Sequence, residues 1–251
     1  MTNIKLFLDK TKNNFKKTKK KVYLLYNQYD MFTSSEENYL KAIYHLGSLT
    51  EKGVSTNAIA KKLDTKASSV TDMIKKLAEK KVLIYQKYQG VNLTVEGKKT
   101  AALIIRKHRL WEVFLFEKLN FNWDEVHDVA EQLEHIKSPK LINEIDALLG
   151  FPTVDPHGDP IPDKDGEITV RKKVKLSTIK ENEETVLLAV KDSSDDFLRY
   201  LNKKKIAIGN TIKVINIEPF DNSVLVEIND VELLITNEVA ENLLVKENNA
   251  I

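Results

Sequence analysis

The sequence predicts a mainly α chain with β structure: a winged helix-turn-helix, three further helices, and a small C-terminal β-barrel. Two observations carry this. From Thr33 to Thr94 the apolar pattern runs helix, helix, short turn, helix, β-hairpin. Beyond Leu176 it changes to short β-rich segments interrupted by one helix.

The first helix opens at Thr33, Ser34 or Ser35, each able to cap it, with Glu36 and Glu37 in the first turn and Tyr39, Leu40, Ile43 and Tyr44 at helical spacing. Ser55 caps the next helix, whose apolar stripe is Ile59, Ala60 and Leu63. A polar break at Asp64-Thr65-Lys66-Ala67 leads into a helix over 68–80 with Val70, Ile74 and Leu77 inward. Val82–Tyr85, Gln89-Gly90 and Val91–Thr94 read as strand, turn and strand. Residues 96–120 form a long amphipathic helix, 123–135 another, and 141–149 a shorter one. Four prolines between Gly150 and Gly166 mark a linker or an ordered loop. Four or five short strands follow, among them 186–190, 212–215, 224–228 and 231–235, with a helix at 196–203.

With 251 residues and 30% charged side chains, the chain has the composition of an ordinary globular protein with room for several cores. No apolar run reaches membrane-spanning length, and Val22–Tyr26 is too short for a signal-peptide core. The absence of cysteine excludes disulfide scaffolds, thiolate metal sites and cysteine nucleophiles, and the expected compartment is the cytoplasm. The net charge of +2 conceals an asymmetry. Residues 1–21 carry eight lysines against one acid, and 33–100 carry twelve lysines against seven acids. Residues 101–166 reverse the sign, with seven basic residues against thirteen acids. A basic block beside an acidic one suits a polyanion-binding part and a cation-holding part. Residues 1–32 read as a basic tail, with translation from Met31 as the alternative.

The segment from Ser55 to Lys81 fits a DNA-reading helix-turn-helix. Ser68, Ser69 and Thr71 are small and polar at the start of its second helix, suited to base edges and phosphates. Lys66, Lys75 and Lys76 are placed to neutralise phosphate, while Lys87 and Gln89 sit at the hairpin tip as a wing. The competing reading is a three-helix unit that contacts only protein.

On the helix predicted over 123–135, His127, Glu131, Glu134 and His135 fall at about 0°, 40°, −20° and 80° around the axis, one stripe about 100° wide. The preceding helix supplies His108 and Glu112 at i and i+4. These oxygen and imidazole donors suit Mn(II) or Fe(II), and other divalent first-row ions can substitute. Singly, each residue is an ordinary core histidine or surface glutamate; together they point to metal. An enzymatic alternative rests on Glu131-x-x-Glu134-His135, which resembles an inverted zinc-hydrolase motif with Glu in place of its first His. No nucleophile motif or Gly-rich phosphate loop accompanies it, so the reading is not an enzyme.

Four stretches carry a family resemblance: Glu37–Tyr44, Arg106–Glu112, Val126–His135, and Phe151–Gly158 followed by Ile161-Pro162. They resemble the diphtheria-toxin-repressor family of metal-dependent bacterial regulators, in its manganese-type branch. The resemblance implies a winged helix-turn-helix over 33–100, a helical metal-binding and dimerisation domain over 101–163, a linker over 164–175, and an SH3-like (FeoA-like) domain over 176–251. It implies a homodimeric repressor of metal-uptake genes that binds double-stranded operator DNA, with Mn(II) or Fe(II) as corepressor. A winged-helix regulator answering to an organic ligand is the alternative. Carried over by position, one metal site uses Asn38, Glu131, Glu134 and His135, so that bound metal ties the first helix to the 131–135 segment. A second uses His108, Glu112 and His127. Asp155 and His157 resemble loop ligands of a variant second site, with Asp192 as the acidic residue from the barrel and Asp195 and Asp196 as competitors.

Two departures bear on the metal. Glu131 stands where iron-type members have Cys, which favours a harder site and Mn(II). Asn38 stands where manganese-type members have Asp, so one negative charge is lost; Glu37 is a substitute, at the cost of a shifted helix face.

Overall fold

The structure, a computed structural model, describes residues 31–48, 53–86 and 90–247. The chain divides into two compact units. One comprises the described residues up to Ile105 together with His135–Leu148; the other comprises Arg106–Glu134 and residues from Leu149 onward.

In the first unit, helix α1 spans Ser34–Gly47 and starts where local chemistry dictates. The Thr33 hydroxyl accepts from the Glu36 N–H at 3.3 Å, and the Glu36 carboxylate accepts from the Thr33 N–H at 2.8 Å. This reciprocal box satisfies two backbone donors that an open helix end leaves unpaired. Helix α2, Thr56–Lys62, has the simpler one-way cap: the Ser55 hydroxyl accepts from the Ala58 N–H at 3.1 Å. Helix α3, Ala67–Glu79, buries Val70, Ile74 and Leu77 at helical spacing. Those residues meet Leu40, Ile43 and Ile59 in one apolar core.

Strands β1, Leu83–Gln86, and β2, Gly90–Leu93, form the antiparallel wing, in register Leu83 to Leu93. Gly90 has φ +81°, and a Cβ there would stand 2.7 Å from the Gly53 carbonyl, so only glycine lets the wing lie against that backbone. Lys87 and Gln89, expected at the tip, lie outside the described residues, as do residues 1–30 of the basic tail. Helix α4, Val95–Leu119, passes from the first unit into the second between Ile105 and Arg106. Its early residues Ala101 and Ile104 belong to the winged-helix core. Helix α6, Pro139–Leu148, completes the first unit.

The second unit holds the rest of α4, helix α5 at Val126–Leu133, and a β-rich region. Here the structure corrects the sequence reading. The helix predicted over 123–135 is shorter at both ends. Residues 123–125 form a turn in which the Glu125 N–H bonds the Asn122 carbonyl at 3.0 Å, and Trp123 is buried in the β-unit core instead. Glu134 caps α5 with helical dihedrals, and His135 lies in the turn beyond it, ahead of Pro139.

The C-terminal sheet has six strands rather than four or five. In order they are β3 (Lys173–Lys175), β8 (Leu243–Lys246), β4 (Glu184–Val190), β5 (Thr211–Ile217), β6 (Val224–Ile228) and β7 (Val231–Ile235), each antiparallel to its neighbours. Helix α7 spans Asp195–Lys204 and α8 spans Asn237–Asn242. Alternate residues of β5 and β6, among them Ile212, Val214, Val224 and Val226, fill the core against Leu198 and Leu201 of α7. The proline-rich stretch is an ordered loop: Val154 pairs with Pro160, and the Ile161 N–H bonds the Thr153 carbonyl at 2.9 Å.

Candidate metal centre and DNA-binding face

The spacing of His108 and Glu112 on α4 places both side chains on one face, buried. The His108 ring is engaged on both edges. Its Nδ1 lies 2.7 Å from Glu134 Oε2, and its Nε2 lies 3.0 Å from Glu112 Oε1 and 3.2 Å from His127 Nδ1. His127 is 60% exposed and stands 4.0 Å from Glu131, one turn later on α5.

The loop after α6 adds a second cluster. Asp155 accepts from the N–H groups of His157 and Asp159 at 2.8 and 3.0 Å, an arrangement that folds the loop around its own carboxylate. His157 donates Nε2–H to the Trp123 carbonyl at 2.8 Å, and its Nδ1 faces Asp155 at 4.0 Å. The imidazole also stacks on the Trp123 ring. Arg109 and Arg106 of α4 hold the loop. Arg109 Nε lies 3.4 Å from Asp155, and Arg106 donates to the Pro162 carbonyl at 2.8 Å. Neither arginine is distinguished in the sequence except by flanking His108 in one of the motif stretches. Gly158 has φ +84°, and a Cβ there would be 2.0 Å from the Leu188 carbonyl. The loop lies too close to β4 for any side chain.

Three sets of donors among the described residues have ligand atoms within 4.8 Å of one another: His108, Glu112 and His127; His108, Glu131 and Glu134; and Glu112, Asp155 and His157. His108 is shared by two sets and Glu112 by two, so the sets form a chain. Burial alone raises the Glu112 carboxyl, but hydrogen bonds from His108 and His127 and the nearby imidazole charge hold it well below the usual carboxylate range. Asp155 behaves oppositely. Burial, then the charges of Glu112 and Asp159, push it up to about 7 against the pull of Arg109 and His157. A cluster of buried carboxylates and imidazoles, one carboxyl of which is pushed towards neutrality by burial, is a donor set suited to a divalent cation.

The remaining predicted ligands fall elsewhere. Asn38 and His135 belong to the first unit, where the Asn38 Oδ1 is buried with no hydrogen-bond partner and His135 Nδ1 lies 2.7 Å from Glu37 Oε2. An orphaned buried carbonyl oxygen is suited to a cation. Asp192 is exposed and accepts from the Ser194 N–H at 2.9 Å; the structure does not bring it into the three sets, nor Asp195 or Asp196.

On the winged unit, Lys66, Ser68, Ser69, Thr71, Lys75 and Lys76 are all exposed at or near the start and outer face of α3. Thr71 donates to the Ala67 carbonyl at 3.0 Å, and Lys75 pairs with Asp72 at 3.3 Å. No described helix is long and apolar enough to cross a membrane.

A winged helix with a polar, lysine-flanked second helix, followed by overlapping imidazole–carboxylate sets, defines a metal-dependent DNA-binding regulator. Comparison with known proteins makes this specific. The family model for the iron-dependent repressor N-terminal DNA-binding domain matches residues 31–91, the model for its metal-binding and dimerisation domain matches 94–163, and the FeoA domain matches 174–247. The HTH-type transcriptional regulator MntR of Oceanobacillus iheyensis is 36% identical over 157 residues, which covers 62% of this chain and 96% of that protein. The iron-dependent repressor IdeR of Mycobacterium tuberculosis is 33% identical over 128 residues, 50% of this chain and 54% of that one. A manganese-dependent transcriptional repressor in complex with manganese superposes with a TM-score of 0.73 at 32% identity, over 85% of this chain and all of that one. ScaR with bound zinc gives 0.66 at 34% identity, over 85% of this chain and 99% of that one. The chain belongs to the iron-dependent (diphtheria-toxin) repressor family of metal-dependent transcriptional regulators.

Proposed function

We propose that the chain is a Mn(II)-responsive repressor, able to use Fe(II), that binds operator DNA as a cytoplasmic homodimer and controls metal-uptake genes. The observation that carries this is His108, a buried imidazole shared by two donor sets and contacting three other candidate ligands. Support for manganese comes from the donors: Glu112, Glu131, Glu134 and Asp155 are hard oxygen ligands, and the chain has no thiolate. Asn38 and His135 complete the proposed ligands in the first unit, and Asp192 is retained only as the barrel residue that the resemblance assigns.

When bound, the cation supplies the positive charge that the clustered carboxylates lack. Lys66 and Lys76 neutralise phosphates, while Ser68, Ser69 and Thr71 approach base edges; Lys87 and Gln89 of the wing meet the backbone. Metal shifts the chain towards operator binding only through its higher affinity for the DNA-competent form. Association into a dimer is supported by apolar surface on α4, where Phe116 and Leu119 are 45% and 51% exposed.

The test is a double variant, Glu134→Ala with His135→Ala, assayed for Mn(II)-stimulated DNA binding. The proposal expects the stimulation to vanish while weak, salt-sensitive DNA binding remains. A full response in the variant contradicts it and favours the regulator of organic-ligand type.

A further inference from the structure

The first turn of α1 carries two adjacent glutamates with different fates. Glu36 closes the capping box and pairs with Lys80 at 2.8 Å. Glu37 is turned about 100° further round the helix, and its side chain is only 4% exposed. A first-turn glutamate is ordinarily solvated, and a buried carboxylate is costly without a charged or hydrogen-bonded partner. Glu37 has such a partner across 98 residues of chain: its Oε2 lies 2.7 Å from Nδ1 of His135, a ring that is itself 19% exposed. The next residue, Asn38, presents a buried Oδ1 with no partner.

We propose that Glu37 is a positioning residue for metal capture: its carboxylate holds the Nδ1 proton of His135 and so presents Nε2 as the ring's lone-pair nitrogen. This rests on the metal-repressor reading above. A neutral imidazole carries one N–H and one lone pair, so fixing the proton at Nδ1 decides which nitrogen can ligate. Metal-binding histidines commonly donate their second N–H to a carboxylate, which orients the ring and raises its basicity. The arrangement also accounts for Asn38. A neutral amide oxygen at that position brings no charge, and the carboxylate one residue earlier restores it through the imidazole rather than by direct ligation.

Two measurements on the full-length protein test this. Histidine-labelled protein loaded with Zn(II), a diamagnetic probe, is examined by long-range proton–nitrogen NMR, with His135 assigned by loss of its signals in His135→Gln. The expected spectrum has a protonated Nδ1 and a metal-shifted Nε2; metal on Nδ1, as a directly bridging Glu37 requires, overturns the proposal. Mn(II) affinity of wild type, Glu37→Gln and Glu37→Asp is then read by electron paramagnetic resonance of the free ion. Glu37→Gln is expected to weaken the affected site by about 10–100-fold, with partial rescue in Glu37→Asp. A Glu37→Gln protein that keeps the wild-type thermal midpoint and the wild-type affinity overturns the proposal. If that variant does not fold, the wild-type spectrum decides alone. Failure of wild type to take up either ion contradicts the metal-repressor reading itself, an outcome distinct from a loaded protein with the wrong ring nitrogen.

Discussion

Nδ1 of His108 lies 2.7 Å from Oε2 of Glu134, a carboxylate with no exposed surface. The same ring meets Glu112 through Nε2, so one imidazole partners two buried acids as well as serving two donor sets. Removing it therefore does two separable things. His108→Ala is expected to abolish Mn(II) binding at both sets, and also to destabilise the metal-free protein by about 1–3 kcal/mol, because two buried acceptors each lose one hydrogen-bond partner. His127→Ala, at a side chain 60% exposed, should weaken metal binding with little effect on metal-free stability. Calorimetric Mn(II) titration beside chemical denaturation of the two variants checks the contrast.

Asp155 gives the centre a pH dependence of known sign. Its carboxyl titrates at about 7 in the folded chain against an ordinary value of 3.8, so between those values the folded protein holds a proton that the unfolded chain releases. That contribution to stability is fully present below pH 3.8 and lost as pH rises through about 7. On the proposal that Glu112, Asp155 and His157 hold a cation, its binding displaces the same proton. Titrations near pH 6 in two buffers of different ionisation enthalpy should show proton release, and Asp155→Asn should remove that component.

The DNA-binding face separates lysines by their partners. Lys66→Ala and Lys76→Ala should each weaken binding to any sequence and reduce the slope of log affinity against log salt by about 1. Lys75, already paired with Asp72, should contribute less. Binding isotherms across a salt series measure this directly.

Gly158 tests the loop. With φ +84° and the Leu188 carbonyl 2.0 Å from a Cβ, Gly158→Ala must displace the loop from β4. Backbone strain of this kind costs about 1–3 kcal/mol before the clash is counted. The expected outcome is a lower thermal midpoint together with weaker metal binding at the Asp155 and His157 set, and an unchanged affinity at the remaining donors.

What the sequence made legible was local. The caps at Thr33 and Ser55, the Val70–Ile74–Leu77 stripe and the i, i+4 pair His108 and Glu112 each depend on neighbours within about a turn of helix. What it hid depends on distant partners. Trp123 continues the apolar period of α5, yet it packs in the β-unit core, so the helix begins three residues later than its pattern. Strand β3 has three residues, Lys173-Val174-Lys175, too few to show an alternation, and exists because β8 pairs with it. The stripe through His127, Glu131 and Glu134 was readable as a set, but its link through His108 depends on α4 packing beside α5, and the further link through Glu112 depends on the loop carrying Asp155 and His157. Glu37 was visible as a carboxylate beside Asn38, whereas its contact with His135 joins positions 98 residues apart.

Metal control of DNA binding is tested most directly on a duplex selected in vitro by the Mn(II)-loaded protein, its affinity measured with Mn(II), with Fe(II) under anaerobic conditions, and with chelator. Tight binding is expected with Mn(II), binding with Fe(II), and weak binding once metal is removed. Equal affinity in all three conditions would contradict it.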